Sequence, residues 1–289
     1  MGAQAAPRRP PAPPAPRHAP PDRKAVTKGS RSLFSAPARA RARSILGRRG
    51  TRVLLALDVD GTIAPIVAKL GRARVPAATL RVLDRLARMR GVTVAVVSAR
   101  SRRVLGRLVP VPRARFAALY GLEGVVAPAA SIRKRLRRGA RRIAALVEPV
   151  AEAFQGSVLE RKSMTVALHD RGVAAGRFPA LRRALRRAAT AARPLGFEPA
   201  RGHRVTEFVP RGYDKGRALA MLRRRYTPDV VLYFGDADSD EPAFAVLRGN
   251  DFAVRVGPGR TRARYRVRGP AEVVRFLRSL ISLRSGLDP

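Results

Sequence analysis

From residue 51 onward the chain alternates short apolar runs with longer stretches whose apolar residues fall on one helical face. Residues 53–59 and 92–98 are almost uniformly apolar runs of strand length, as strands covered by helices on both sides must be. Between them, residues 76–89 place Leu80, Leu83, Leu86 and Ala87 at helical spacing, so the region predicts a βαβ unit. The texture changes after residue 124. A basic helix near 132–154, strands at 157–160 and 164–169, a helix near 174–192 and strands near 197–200 and 204–209 bring strands in adjacent pairs, which predicts a separate α+β unit. Alternation then resumes with a helix at 215–226, a strand at 230–235, a helix at 241–247, a strand at 251–256 and a closing helix at 271–283. The expected fold class is α/β. Residues 51–124 and 207–289 form an open parallel sheet flanked by helices, and residues 125–206 an inserted α/β cap. Residues 1–50 have no hydrophobic period and abound in Pro, Ala and Arg, so a disordered basic tail is expected there.

Composition adds exclusions. The 289 residues, 46% of them apolar, suffice for one sizeable domain with an insertion. No apolar run approaches the roughly 20 residues that span a bilayer. The leader lacks the apolar block of a secretory signal, so no membrane partner and a cytoplasmic location are expected. With no cysteine, thiolate ligands and Cys nucleophiles are excluded, and any metal must take oxygen or His ligands. The net charge of +40 raises polyanions as partners, because cations gain by releasing counterions from phosphate. The excess is diffuse, however, and only six of the 60 basic residues are Lys, an Arg bias that a GC-rich coding sequence produces whatever the function. With five Tyr, ten Phe and no Trp to stack on bases, no specific nucleic-acid partner is expected. The sequence implies no particular oligomeric state.

The chemistry concentrates at element ends. Asp58 and Asp60, one residue apart, close an apolar strand just before Gly61 and Thr62, at the kind of strand terminus where open α/β sheets bind ligands. Ser98 ends the next strand, with Arg100 close behind. Lys215 opens a helix, where its ammonium and the free N–H groups of the first turn can face one anion. The strand at 230–235 runs into Asp236, Asp238, Asp240 and Glu241, four of only 20 acids, which suits a hard cation such as Mg2+ with oxygen ligands. A carboxylate pair, a hydroxyl, an ammonium and an acidic metal loop on one rim are the parts that phosphoryl transfer requires.

These segments resemble the motifs of the haloacid dehalogenase superfamily. Asp58-Val59-Asp60-Gly61-Thr62 is similar to the first, Ser98 to the second, Lys215 to the third, and Gly235-Asp236 with Asp240 to the fourth. The insertion resembles the cap of the subclass that holds Cof-type and sugar phosphatases, class II subclass B. Within it the chain looks like the trehalose-6-phosphate phosphatases over about residues 51–283, through Val96-Val97-Ser98-Ala99-Arg100, Gly121-Leu122-Glu123, Glu160-Arg161-Lys162, His169-Asp170-Arg171 and the run from Gly202 to Glu207. The resemblance implies a Rossmann-like core and a Mg2+-dependent phosphatase. In it Asp58 would form an aspartyl-phosphate and ligate the metal, and Asp60 would act as acid and base while its carbonyl also ligates. Asp236 would ligate with Asp240 nearby, and Ser98 and Lys215 would hold phosphoryl oxygens. Gly61, Thr62 and Arg100 are expected at the substrate, and Glu160, Lys162, Arg171 and Glu207 at its sugar. Ala99, Tyr120, His203 and Ala237 depart from the usual Gly, His, Lys and Asp of that family. Two other readings stay open: a phosphatase for another sugar phosphate, such as sucrose phosphate or mannosyl-phosphoglycerate, and a polyanion-binding protein on a phosphatase fold.

Overall fold

A computed structural model describes residues 29–67, 73–202 and 204–286. The elements of its larger unit are β1 (Arg31–Ser32), α1 (Ala36–Leu46), β2 (Val53–Leu57), α2 (Ala77–Arg88), β3 (Val92–Val97), α3 (Arg102–Leu108), β4 (Arg115–Ala118) and β5 (Glu123–Gly124). The chain then enters a second unit with α4 (Ala130–Ala153), β6 (Val158–Arg161), β7 (Val166–His169), α5 (Phe178–Ala192), β8 (Phe197–Gly202) and β9 (Val205–Pro210). It returns through α6 (Lys215–Tyr226), β10 (Val230–Gly235), α7 (Glu241–Ala245), β11 (Phe252–Val256), β12 (Tyr265–Val267) and α8 (Pro270–Ser285).

The larger sheet has the order β1-β12-β11-β10-β2-β3-β4-β5 and is parallel except for β5. Alternate residues of its strands feed two apolar layers. Leu55, Leu57, Val94 and Phe234 pack with α1, α2 and α8, while Leu54, Ala56, Val97 and Tyr233 pack with α6 and α7. Every residue of β2 and β10 is therefore buried, which accounts for their unbroken apolar sequence. The chain leaves β2 toward β3 on one side, yet β10 lies on the other. This reversal opens a crevice at the carboxyl ends of β2, β3 and β10, the topological switch point where such sheets bind ligands.

The inserted unit is an antiparallel sheet, β6-β7-β9-β8, with α4 and α5 on one face. Val166, Leu168 and Phe208 point into that helical layer, so the alternate residues Ala167 and Glu207 face the other way, toward the core. A small apolar cluster of Leu119, Leu122 and Met164 joins the two units.

Two expectations change. Residues 31–46 are ordered, contrary to the disordered tail expected over 1–50. β1 pairs with β12, and Leu33, Ala38, Ala42 and Leu46 are buried against α8, the last three one helical turn apart. Residues 1–28 lie outside the described residues. The return to the core, expected at 207, falls inside β9, which continues through the cap sheet to Pro210. No helix among the described residues is long and apolar enough to cross a membrane.

Candidate active site

Three adjacent strand ends and one helix start build the site. β2 delivers Asp58, β10 delivers Asp236, β3 delivers Ser98 and α6 delivers Lys215. Asp214 caps α6, its side chain accepting from the Arg217 N–H at 2.7 Å, which fixes where the first turn begins. After β2 the chain folds tightly, with the N–H groups of Thr62, Ile63 and Ala64 all donating to the Val59 carbonyl. Gly61 permits this turn: its φ is +77°, and a Cβ there would sit 2.0 Å from Asp236 Oδ2.

Lys215 is 2% exposed, and its Nζ lies 3.0 Å from Asp58 Oδ1 and 2.8 Å from Asp240 Oδ1. Burial alone would lower its pKa, but Asp240 and Asp58 outweigh that and hold the ammonium well above its ordinary value. Asp240 is completely buried and fully engaged. Oδ1 also accepts from the Tyr233 hydroxyl at 2.6 Å, and Oδ2 from the Ala237 N–H at 3.0 Å. Burial pushes the Asp58 carboxyl well above the usual carboxylate range, against the pull of Lys215, with Asp240, Asp236 and Asp60 pushing further. Burial, then Asp240, lifts Asp236 to about 6.

The carboxylate oxygens of Asp58, Asp236 and Asp240 lie within 4.8 Å of one another. Asp236 Oδ1 is buried without a hydrogen-bond partner among the described residues. Three hard oxygens converging beside an orphaned carboxylate oxygen fit a divalent cation, whose charge would relieve their mutual repulsion. Since both Asp240 oxygens are engaged with Lys215, Tyr233 and Ala237, Asp58 and Asp236 are the better ligands, and Asp240 orients Lys215.

Asp60 is partly exposed, and Arg100 grips it in a fork, Nε to Oδ2 at 2.6 Å and Nη2 to Oδ1 at 2.7 Å. Ser98 is buried, with its Oγ accepting from the Arg100 N–H at 3.2 Å, and Thr62 is buried beside the turn.

The cap supplies a second polar cluster. The strand register aligns Glu160, Ala167 and Glu207 across β6, β7 and β9, so the two acids share the core-facing side with a small residue between them. Lys162 Nζ donates to Glu207 Oε1 at 2.8 Å and to the Ala99 carbonyl of the core at 3.2 Å. Thr165 Oγ1 donates to Glu207 Oε1 at 2.6 Å, and the Tyr120 hydroxyl to Glu207 Oε2 at 3.1 Å. Glu160 pairs with His169 at 2.9 Å, and this bond, with Lys162 nearby, holds its carboxyl below the usual range. Arg171 sits at the cap rim, donating to the Val67 carbonyl of the core at 2.8 Å. His203 lies outside the described residues. Sequence reasoning missed the roles of Tyr233 and Thr165, and saw Tyr120 only as a departure, because each is tied to its partner through folding rather than through spacing.

A doubly covered parallel sheet, with a carboxylate pair and lysine at its switch point and an inserted cap, gives a fold similar to that of a haloacid dehalogenase-like hydrolase from Bacteroides thetaiotaomicron, with a TM-score of 0.56 at 14% identity. Residues 56–270 match the trehalose-phosphatase family, and the chain belongs to it. It is 30% identical to the Escherichia coli trehalose-6-phosphate phosphatase over 226 residues, covering 76% of this chain and 83% of that protein. It is 34% identical over 232 residues to a bifunctional trehalose-6-phosphate synthase/phosphatase of Thermoproteus tenax, covering 76% of this chain and 30% of that longer protein. The C-terminal domain of the trehalose-6-phosphate phosphatase of C. albicans has a similar fold, with a TM-score of 0.72 at 20% identity, covering 88% of this chain and 99% of that one.

Proposed function

We propose that this protein hydrolyses trehalose 6-phosphate to trehalose and phosphate, by way of an aspartyl-phosphate on Asp58. The observation that carries this reading is the facing of two clusters: Asp58, Lys215 and Asp236 at the sheet's switch point, and Glu160, Lys162 and Glu207 on the cap side opposite. The first suits a phosphoryl group and the second an array of sugar hydroxyls.

Lys215 and Ser98 hold the equatorial oxygens while Asp58 attacks phosphorus. The incoming phosphate competes with Asp60 for Arg100, and the Asp60 carboxyl freed from that fork carries the proton that the departing sugar needs. Asp60 gives that proton to the sugar oxygen as the phosphorus–oxygen bond breaks. It then takes a proton from water, whose oxygen attacks phosphorus, and the Asp58–phosphorus bond breaks to free phosphate and restore both carboxyl groups. Asp58, Asp236 and the Asp60 carbonyl would hold Mg2+, and the bound ion would supply further positive charge to the phosphoryl oxygens. Cap closure keeps bulk water from the intermediate until the sugar has left. The cysteine-free composition suits the reducing cytoplasm in which we place the reaction.

The test is phosphate release over a panel of sugar phosphates with Mg2+ and with EDTA, for wild type and Asp58→Asn. Trehalose 6-phosphate is expected to lead the panel, EDTA to abolish release, and Asp58→Asn to lose on the order of a thousandfold or more. Equal rates on trehalose 6-phosphate and glucose 6-phosphate would defeat the substrate reading, and an active Asn variant would defeat the mechanism.

A further inference from the structure

Tyr120 lies in the turn between β4 and β5, the last turn of the core before the chain enters the cap, with its backbone left-handed at φ +58°, preceded by Leu119 at +45° and followed by Gly121 at +85°. Bulky residues avoid this region, and they stay there only where the surroundings hold them. Here the Leu119 N–H donates to the Arg100 carbonyl at 3.0 Å and the Tyr120 N–H to the Ser98 carbonyl at 3.1 Å. The strained turn therefore hangs on the loop that presents Ser98 and Arg100 to the phosphoryl group.

The other end of Tyr120 reaches the cap. Tyr120 as a whole is 6% exposed, and its hydroxyl donates to Glu207 Oε2. Burial, and then the charge of Glu207, push the phenol well above its ordinary pKa, so it remains a donor. Lys162 and Thr165 occupy Glu207 Oε1, whereas Oε2 accepts only Tyr120 among the described residues, which leaves its second lone pair for a ligand hydroxyl. Tyr120 is thus a short rigid link, through one backbone bond and one phenol, between the phosphoryl-holding loop and an acid of the cap.

We propose that Tyr120 is a positioning residue that sets the substrate preference: its hydroxyl registers Glu207 against the Ser98 loop, so that the sugar is gripped at a fixed distance from the phosphorus attacked by Asp58. This rests on the reading of Glu207 as a sugar contact. The wild type is first compared on trehalose 6-phosphate and on p-nitrophenyl phosphate, which has no sugar hydroxyls. If it does not prefer the sugar ester, that underlying reading falls, and this proposal with it, before any variant is made. Given that preference, Tyr120→Phe, which deletes one oxygen, is expected to raise KM for trehalose 6-phosphate about tenfold, with a smaller change in kcat. The ratio of kcat/KM values for the two esters falls by a similar factor. In a Glu207→Gln background the same change is expected to add little, since the charged acceptor is already gone. Tyr120→His, shorter but still a donor, is expected to lie between Phe and wild type. A thermal melt verifies that each variant folds, and the His variant decides the matter if the Phe variant does not. The proposal is overturned if the folded variant keeps the wild-type ratio, if both esters lose equally, or if the Tyr120 and Glu207 effects multiply in full.

Discussion

Asp236 shows how the site holds opposed demands in one side chain. Its pKa rises from an ordinary 3.8 to about 6, because burial and Asp240 disfavour its charge. The metal-free fold therefore binds that proton more tightly than the unfolded chain does. The resulting stability is fully present below 3.8 and lost as pH rises through about 6. A cation needs the ionised form, so its stabilisation runs the other way. The upward shift in melting temperature on adding Mg2+ is expected to be large near pH 7.5 and to shrink toward pH 5. Asp236→Asn is expected to raise the melting temperature of the metal-free protein near pH 7.5 and to abolish the Mg2+ shift. A variant that kept the full shift would place the cation elsewhere. The sequence disclosed Asp236, Asp58, Asp60, Ser98 and Lys215 because each stands at the end of a predicted element. It concealed the work of Tyr120 and Tyr233, whose hydroxyls meet Glu207 and Asp240 only once the sheets are assembled.

At the scale of elements, α1 is instructive. Its sequence is dominated by Arg and Ala, two of the residues that also fill the leader before it, and composition hid the turn-by-turn spacing of Ala38, Ala42 and Leu46. β12 escaped notice for another reason: three residues are too few to display a period. The longer, uniformly apolar β2, β3 and β10 were legible, as was α6, whose expected and observed limits agree. Since Leu46 is fully buried between α1 and α8, Leu46→Ala is expected to cost about 2–5 kcal/mol in urea unfolding. Its kcat is expected to be unaffected at temperatures where the variant is folded. A change below about 0.5 kcal/mol would mean that α1 does not pack as described.

For the whole molecule, charge and cap act together. A chain of formal charge +40 attracts a phosphate dianion over distances longer than any single contact, and salt screens that attraction beyond roughly 10 Å. Raising potassium chloride from about 50 to 500 mM is expected to lower kcat/KM for the sugar phosphate several-fold, chiefly through KM. A flat salt profile would assign capture to Lys215 and Arg100 alone.

The two halves of the site arise on separate sheets, one parallel and continuous through the core, the other antiparallel and confined to the insertion. Both crossings between them are short, one just after Gly124 and the other just before Lys215. Evolution can therefore retune what this scaffold accepts by rewriting the inserted sheet, leaving the reacting groups untouched. The junctions at either end of that insertion are the places where a transplanted cap must be made to fit.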